Sequence, residues 1–152
     1  MKTQTANKNI ILFVVGGTLY YSIEFLYKTF ISLGVCHWSM FLLGGLCFLL
    51  IGLMNENILW EESILTQGVK GSLIITALEL IFGLVLNIRL GLGIWDYSNI
   101  PLNFMGQICL PFSIAWFFLS LLAIVLDDYL RWKWFGEEKP HYHLYSRPPC
   151  EE

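Results

Sequence analysis

The chain has 152 residues, of which 56% are hydrophobic and only 14% are charged, and its mean hydropathy is +0.61. A water-soluble domain carries about a quarter charged residues, so this composition indicates a small integral membrane domain. The 16% of aromatic residues excludes an intrinsically disordered chain, and the net charge of −3 argues against a nucleic-acid partner. The four cysteines lack the paired spacing of a zinc site or a disulfide framework, and no cofactor is indicated.

Four apolar segments approach the roughly 20 residues that a helix needs to cross a hydrocarbon core of about 30 Å. The second is the shortest, and we expect it either to extend toward residue 60 or to lie in locally thinned bilayer. The prediction is an all-α integral membrane protein, a four-transmembrane-helix bundle. In chain order its helices cover about 10–33, 38–54, 71–92 and 105–126.

Basic residues predict how this bundle is oriented. Because basic segments stay in the cytoplasm, both termini are expected there, in a plasma membrane or the inner membrane of a bacterium. The expected domains are a cytoplasmic N-terminal tail over 1–9, a membrane domain over 10–130 and a polar cytoplasmic tail over 131–152, which has no core of its own. Seven of the nine lysines and arginines fall on the cytoplasmic side: Lys2, Lys8, Lys70, Arg131, Lys133, Lys139 and Arg147.

Two glutamates fall inside the apolar segments, where an ionised side chain near the bilayer centre costs about 2.5–3.5 kcal/mol. Glu24 lies one turn before Lys28, so its structural interpretation is an ion pair. Glu79 shares a helical face with Thr76 and Asn87 and has no basic residue within four positions, so its structural interpretation is a hydrogen-bonded, protonated acid. The alternative makes both glutamates part of a proton, cation or polar-substrate site inside the bundle.

A weak internal repeat pairs the two glutamates. Ile23-Glu24 followed by residues 33–39 is echoed by Leu78-Glu79 followed by residues 92–98. Both copies would start in the cytoplasm, which predicts two parallel helical hairpins related by an axis along the membrane normal.

The loop before the fourth segment contains polar residues that can organise a turn or bind a ligand. Pro101 restricts the backbone, and Asn103 is predicted to cap the fourth helix. The amides of residues 104–106 would then form a binding position for an anion or carboxylate, and Asp96 is its simplest internal occupant.

The same loop and the next helix contain, in order, Trp95-Asp96-Tyr97-Ser98, Pro101, Asn103, Gly106-Gln107-Ile108-Cys109-Leu110, Ser113 and Trp116. This string resembles the signature of the putative ABC-transporter type IV family, also called CmpB-like, and the resemblance covers about residues 78–122. It implies a permease subunit of an ATP-driven transporter. The sequence contains no Walker A motif, so an ATPase would be a separate protein.

The leading interpretation is therefore a transporter-type membrane protein with a polar intramembrane site for a substrate that the sequence does not identify. Besides the lipid bilayer, the expected partners are a second copy or other membrane subunits, because four helices offer little for a translocation path, and a separate ATPase. Two other classes stay open: a non-catalytic accessory or assembly subunit, and a membrane-embedded lipid-modifying enzyme with Glu79 and Asp96 as acid and base. The candidate substrate-binding residues are Glu24, Glu79, Asn87, Asp96, Asn103 and Gln107.

Overall fold

The structure is a computed structural model that describes residues 2–32, 34–55 and 62–144. The described residues form four helices, and the prediction of an all-α four-helix bundle is confirmed. A short antiparallel strand pair precedes the last helix, with Asn103 opposite Cys109 and Phe104 opposite Ile108. The elements are α1 (Lys2–Tyr27), α2 (Ser39–Asn55), α3 (Ile64–Gly83), β1 (Asn103–Phe104), β2 (Ile108–Cys109) and α4 (Leu110–Phe135); α1 and α3 each continue into a π-helical turn, Lys28–Ser32 and Leu84–Arg89.

Three helical segments are long and apolar enough to cross a membrane: Thr5–Ile31, Ile64–Arg89 and Leu110–Phe135. With 17 residues, α2 is shorter, and a rise of about 1.5 Å per residue makes it roughly 25 Å long. Large apolar side chains cover the outside of the bundle; Leu73 and Leu122, for example, are 65% and 68% exposed. Such a surface is suited to contact with lipid rather than with water.

The helices pack as two hairpins, α1 with α2 and α3 with α4. Glycines let the first pair approach closely. A Cβ atom at Gly17 would lie 2.6 Å from the carbonyl oxygen of Phe41, and one at Gly45 would lie 2.7 Å from that of Phe13. Because both obstacles are backbone atoms, the contact between α1 and α2 requires glycine at both positions.

The core between the hairpins is built mainly from α2. The buried apolar side chains of α2 contact one isoleucine from α3 and one from α4. The short helix therefore lies at the centre of the bundle. The core residues are Met40, Leu43, Cys47 and Ile51 of α2, Ile75 of α3 and Ile124 of α4.

Two helix starts differ from the prediction. α3 begins at Ile64 rather than near residue 71, because the hydroxyl of Ser63 caps it by accepting a hydrogen bond from the Leu65 amide at 3.1 Å. α4 begins at Leu110 rather than near residue 105. The prediction that Asn103 caps α4 is wrong, because residues 103–109 form the strand pair and Cys109 occupies the capping position.

α4 also ends later than predicted, at Phe135 rather than near residue 126. Arg131, expected in the polar tail, is buried within the helix, where it forms an ion pair with Asp127 one turn earlier. The helix stops at Gly136, whose φ of 70° is a left-handed conformation that favours glycine. The expected extension of α2 toward residue 60 lies outside the described residues.

The first and last described segments meet at one end of the bundle, here called the terminal end. The ammonium of Lys8 lies 2.6 Å from a carboxylate oxygen of Glu137, and the Ser63 hydroxyl donates to the carbonyl of Leu144 at 2.6 Å. The connection between α1 and α2 and the segment 90–109 lie at the opposite end, here called the loop end. The bundle thus brings the beginning of α1 and the end of α4 to the same side, as an even number of antiparallel helices requires.

Candidate functional site

A cavity of about 270 Å³ lies inside the bundle, between the two hairpins. Its walls come from all four helices and are mostly aliphatic. Three of its lining residues, Leu19, Ile23 and Leu122, are 43%, 54% and 68% exposed. The cavity therefore opens sideways between α1 and α4, and we call this opening, bordered by these three residues, the α1–α4 window.

Glu79 is the one acidic residue in the described lining of this cavity, and it is only 3% exposed. One carboxylate oxygen accepts a hydrogen bond from the Tyr97 hydroxyl at 2.8 Å, and the other accepts one from the Trp116 indole N–H at 2.8 Å. Both donors are neutral. Across the residues that the structure describes, no lysine or arginine forms an ion pair with Glu79.

Aromatic stacking holds the two donors in place. The rings of Tyr97 and Phe112 stack with centroids 4.8 Å apart, and Phe112 in turn contacts Trp116 at 5.8 Å. Tyr20 of α1 reaches the other side of Trp116, at 6.4 Å. Burial, and next the nearby Glu79, raise the pKa of Tyr97 well above its usual range, so this hydroxyl stays protonated and remains a donor.

Glu24 forms the predicted ion pair with Lys28, with 3.4 Å between the ammonium nitrogen and a carboxylate oxygen. Lys28 is itself buried and also donates to the carbonyl oxygen of Ile94 at 2.8 Å and to that of Val35 at 3.5 Å. Through Lys28, the pair therefore joins the end of α1 to the connection between α1 and α2, at Val35, and to segment 90–109, at Ile94.

Asn87 and Gln107 bind each other and the start of segment 90–109. The Asn87 amide donates to the Gln107 side-chain oxygen at 2.8 Å and to the Trp95 carbonyl at 3.0 Å, and it accepts from the Ile94 amide at 2.7 Å. Gly83 makes room for this contact, since a Cβ atom there would lie 2.6 Å from the Gln107 side-chain oxygen. Both amides thus attach the segment to α3.

Asp96 and Asn103 lie in the same segment but do not line the cavity. The exposed Asp96 accepts hydrogen bonds from the hydroxyl and the backbone amide of Ser98, at 2.5 and 2.8 Å, and these bonds lower its pKa. Asn103 donates to the Ile100 carbonyl at 2.8 Å and accepts from the Gly106 amide at 3.1 Å. The predicted anion position at residues 104–106 is not formed, because Asn103 occupies one of its amides and Asp96 binds Ser98.

Sequence reasoning missed the partners of Glu79 and a charged cluster at the terminal end. In that cluster Asp127, Asp128 and Arg131 are 1%, 7% and 2% exposed, and the Tyr142 hydroxyl donates to Asp128 at 2.9 Å. The spacing of Asp127 and Arg131 on one helical face was an available signal for the ion pair. Nothing in the sequence pointed from Glu79 to Tyr97 or Trp116, which lie in other elements.

Residues able to bind a metal ion do not cluster in the described parts of the chain. No group of three or more histidine, cysteine, aspartate or glutamate side chains within them could hold a metal ion. The rings of His141 and His143 lie 6.1 Å apart near the terminal end. The site around Glu79 is therefore best described as an acidic position in an apolar cavity.

No solved structure matches this chain. A family model described as putative ABC-transporter type IV matches residues 10–137, a range that contains all of α2, α3 and α4 and most of α1. The match extends the resemblance found over residues 78–122 to the first hairpin. The chain therefore belongs to the putative ABC-transporter type IV family, and it is an ABC-transporter-related membrane protein.

Proposed function

We propose that the protein is a membrane subunit of a transporter whose substrate contacts Glu79 in the cavity between the two hairpins. The observation that carries this proposal is the buried carboxylate of Glu79, which borders a cavity and has only neutral partners among the described residues. The family relation supports the transporter class. The geometry of the cavity supports the position of the site.

The carboxylate of Glu79 has unused hydrogen-bonding capacity. An ionised carboxylate offers about four acceptor positions, and Tyr97 and Trp116 fill two of them. A glutamine could keep both contacts at a lower cost of burial, with its oxygen accepting from the Trp116 indole and its amide group donating to the Tyr97 hydroxyl oxygen. An acid at this position therefore suggests a role beyond packing, namely contact with a substrate.

The other five candidate residues have a positioning role in this proposal. Asn87 and Gln107 attach the segment that carries Tyr97, and the pair of Glu24 and Lys28 connects that segment to α1. Asp96 and Asn103 shape the segment itself. The proposal also includes a separate ATPase and either a second copy or another membrane subunit.

Replacing Glu79 by glutamine tests the proposal. Glu79→Gln should insert and keep or raise its thermal stability, because a neutral amide is cheaper to bury than an ion. Its activity should fall about tenfold or more, since one lost charge-assisted hydrogen bond is worth about 1.5–3 kcal/mol. The measurement is growth complementation of a deletion strain at matched expression, together with thermal unfolding in detergent.

Glu24→Gln is the matched control, because Glu24 is also an intramembrane acid but is paired with Lys28. We expect a smaller loss of complementation for this variant than for Glu79→Gln. A Glu79→Gln protein that folds and complements fully would contradict the proposal and favour an accessory subunit whose polar residues only pack.

A further inference from the structure

We infer that the cavity takes an amphipathic substrate with a cationic head group and an alkyl chain, which enters from the lipid through the α1–α4 window. This inference rests on the proposed function, because it names the substrate class of the Glu79 site. It follows from the charge in the cavity, the character of the walls and the position of the opening.

The charge in the cavity favours a cationic head group. Among the described residues that line it, Glu79 is the only charged one, and the other polar side chains are Tyr20, Cys47 and Trp116. A cation would pair with the carboxylate in surroundings of low polarity, where charges interact strongly. An anion would be repelled by it, and a sugar-like solute would leave its hydroxyl groups against aliphatic walls.

The walls favour an alkyl chain over a small inorganic cation. Beyond Glu79, the described lining of this cavity of about 270 Å³ offers a metal ion only Tyr20 and Cys47, and no group of three or more histidine, cysteine, aspartate or glutamate side chains forms there. An alkyl chain that fills this volume gives the aliphatic side chains of the wall the van der Waals contacts that an empty cavity denies them, and it restores close packing. The apolar lining comes from all four helices and includes Leu19 and Ile23 of α1, Leu43 and Ile51 of α2, Ile75 of α3 and Leu122 of α4.

The opening favours entry from the lipid. Tyr20, which lies between Leu19 and Ile23 on α1, contacts Trp116 of α4 on the inner side of the window, where both residues line the cavity. Toward the terminal end, a buried cluster of Leu12, Phe48 and Leu130 joins α1, α2 and α4. On the loop-end side of this cluster, the rim of the window consists of the exposed aliphatic side chains of Leu19, Ile23 and Leu122, so a molecule dissolved in the bilayer reaches the cavity directly.

Photo-crosslinking in lipid nanodiscs tests the inference on the intact chain. The probes are a diazirine-bearing dodecylamine and the corresponding dodecanol, added to the protein in phosphatidylcholine nanodiscs, and crosslinked residues are located by mass spectrometry. The amine should label the cavity walls about tenfold more than the alcohol, as expected for a charge-assisted contact. Glu79→Gln should reduce labelling by the amine to the level of the alcohol.

Two tryptophan variants test the route of entry. Leu122→Trp should block the window and lower labelling of the walls by the amine severalfold. Leu73→Trp is the matched control, because Leu73 is 65% exposed on α3 but does not line the cavity, and it should leave labelling unchanged. Size-exclusion profiles of both variants establish that they fold.

Equal labelling by the two probes, or labelling that Glu79→Gln does not change, would overturn the inference. Failure of the proposed function has a different signature, because labelling measures binding rather than activity. Loss of complementation by Glu79→Gln without selectivity for the amine would refute the substrate class only. Selective amine labelling combined with full complementation by Glu79→Gln would refute the proposed function.

Discussion

Side-chain amides give the segment between α3 and α4 its shape. Residues 90–109 contain only the two short strands as regular secondary structure. Asn87 and Gln107 attach the segment to α3, and Asn103 closes the turn between the strands. Because Tyr97 lies in this segment, the same amides determine where its hydroxyl meets Glu79.

Substitution of Asn103 should therefore weaken the segment rather than the helix that follows it. Asn103→Ala loses the bonds to Ile100 and Gly106, at about 1 kcal/mol each, and should lower the unfolding temperature. Asn103→Asp keeps the acceptor for the Gly106 amide but not the donor, so its stability should be intermediate. Thermal unfolding in detergent checks this order, and identical midpoints for all three proteins would contradict it.

The carboxyl group of Asp96 should titrate below its usual pKa of 3.8, because the Ser98 hydroxyl and amide donate to it. A depressed pKa in the folded state means that this contribution to stability is present above the unfolded pKa and is lost as the pH falls through the folded pKa. Ser98→Ala removes the hydroxyl, so the pKa of Asp96 should rise toward 3.8. Carbon NMR of labelled aspartate carboxyl groups measures the shift.

Asn99→Ala is the control for this titration, because Asn99 is an exposed neighbour in the same segment. It should leave the titration of Asp96 unchanged. An Asp96 pKa that is the same in Ser98→Ala and the unchanged protein would show that the serine does not stabilise the carboxylate.

Local spacing predicts the contacts of the acids only in part. The pair of Glu24 and Lys28 lies one turn apart on one helix, so the sequence predicted it correctly. The partners of Glu79 are 18 and 37 residues away, and their approach depends on how segment 90–109 folds back over α3 and α4. The helical periodicity of the sequence shows which residues share a face of one helix, but not where a loop segment packs against other helices.

The two hairpins share a feature at the end of their first helices. Both α1 and α3 pass into a π-helical turn, which begins at Lys28, four residues after Glu24, and at Leu84, five residues after Glu79. π-helical turns are rare and are often found at functional sites. Their matching positions fit the predicted pair of parallel hairpins and place a local widening of the helix just beyond each acid.

The contact between α1 and α2 should be sensitive to single methyl groups. Gly17→Ala would force the two backbones apart, because the new Cβ atom would lie 2.6 Å from the Phe41 carbonyl oxygen. Overpacking of this kind costs about 1–3 kcal/mol, so the unfolding temperature should fall. Tryptophan fluorescence during thermal unfolding in detergent provides the measurement.

Thr18→Ala is the control, because Thr18 is the next residue in α1 and is exposed on the surface of the bundle. It should change the unfolding temperature much less than Gly17→Ala. Equal effects of the two substitutions would mean that the close approach of the helices is not what Gly17 provides.

The apolar pattern predicted which segments are helical better than where each helix begins and ends. It placed the end of the fourth helix before Asp127 because charged residues usually leave the membrane core. Inside the folded chain the charge of Asp127 is paired with Arg131, and the helix continues for two further turns. Likewise the hydroxyl of Ser63 starts α3 seven residues before the first strongly apolar run.

At the scale of the whole molecule, the termini are expected in the cytoplasm, because the terminal end carries most of the basic residues. Cysteine labelling of intact cells tests this in a background without the native cysteines. An impermeant reagent should label Asn99→Cys at the loop end and should spare Lys139→Cys at the terminal end, and both positions are exposed. Labelling of Lys139→Cys alone would invert the orientation.

The bonds of Lys8 to Glu137 and of Lys28 to Ile94 together have a mechanical consequence for the α1–α4 window. The two lysines are 20 residues apart, about 30 Å along the helix, so α1 is held to the second hairpin at both ends of its span. With both ends of α1 held, bending of the helix between these two bonds is the motion of α1 that would widen the window. Gly16 and Gly17 lie near the middle of that span and pack against Phe48 and Phe41 of α2, so bending of α1 there would have to open this glycine contact as well.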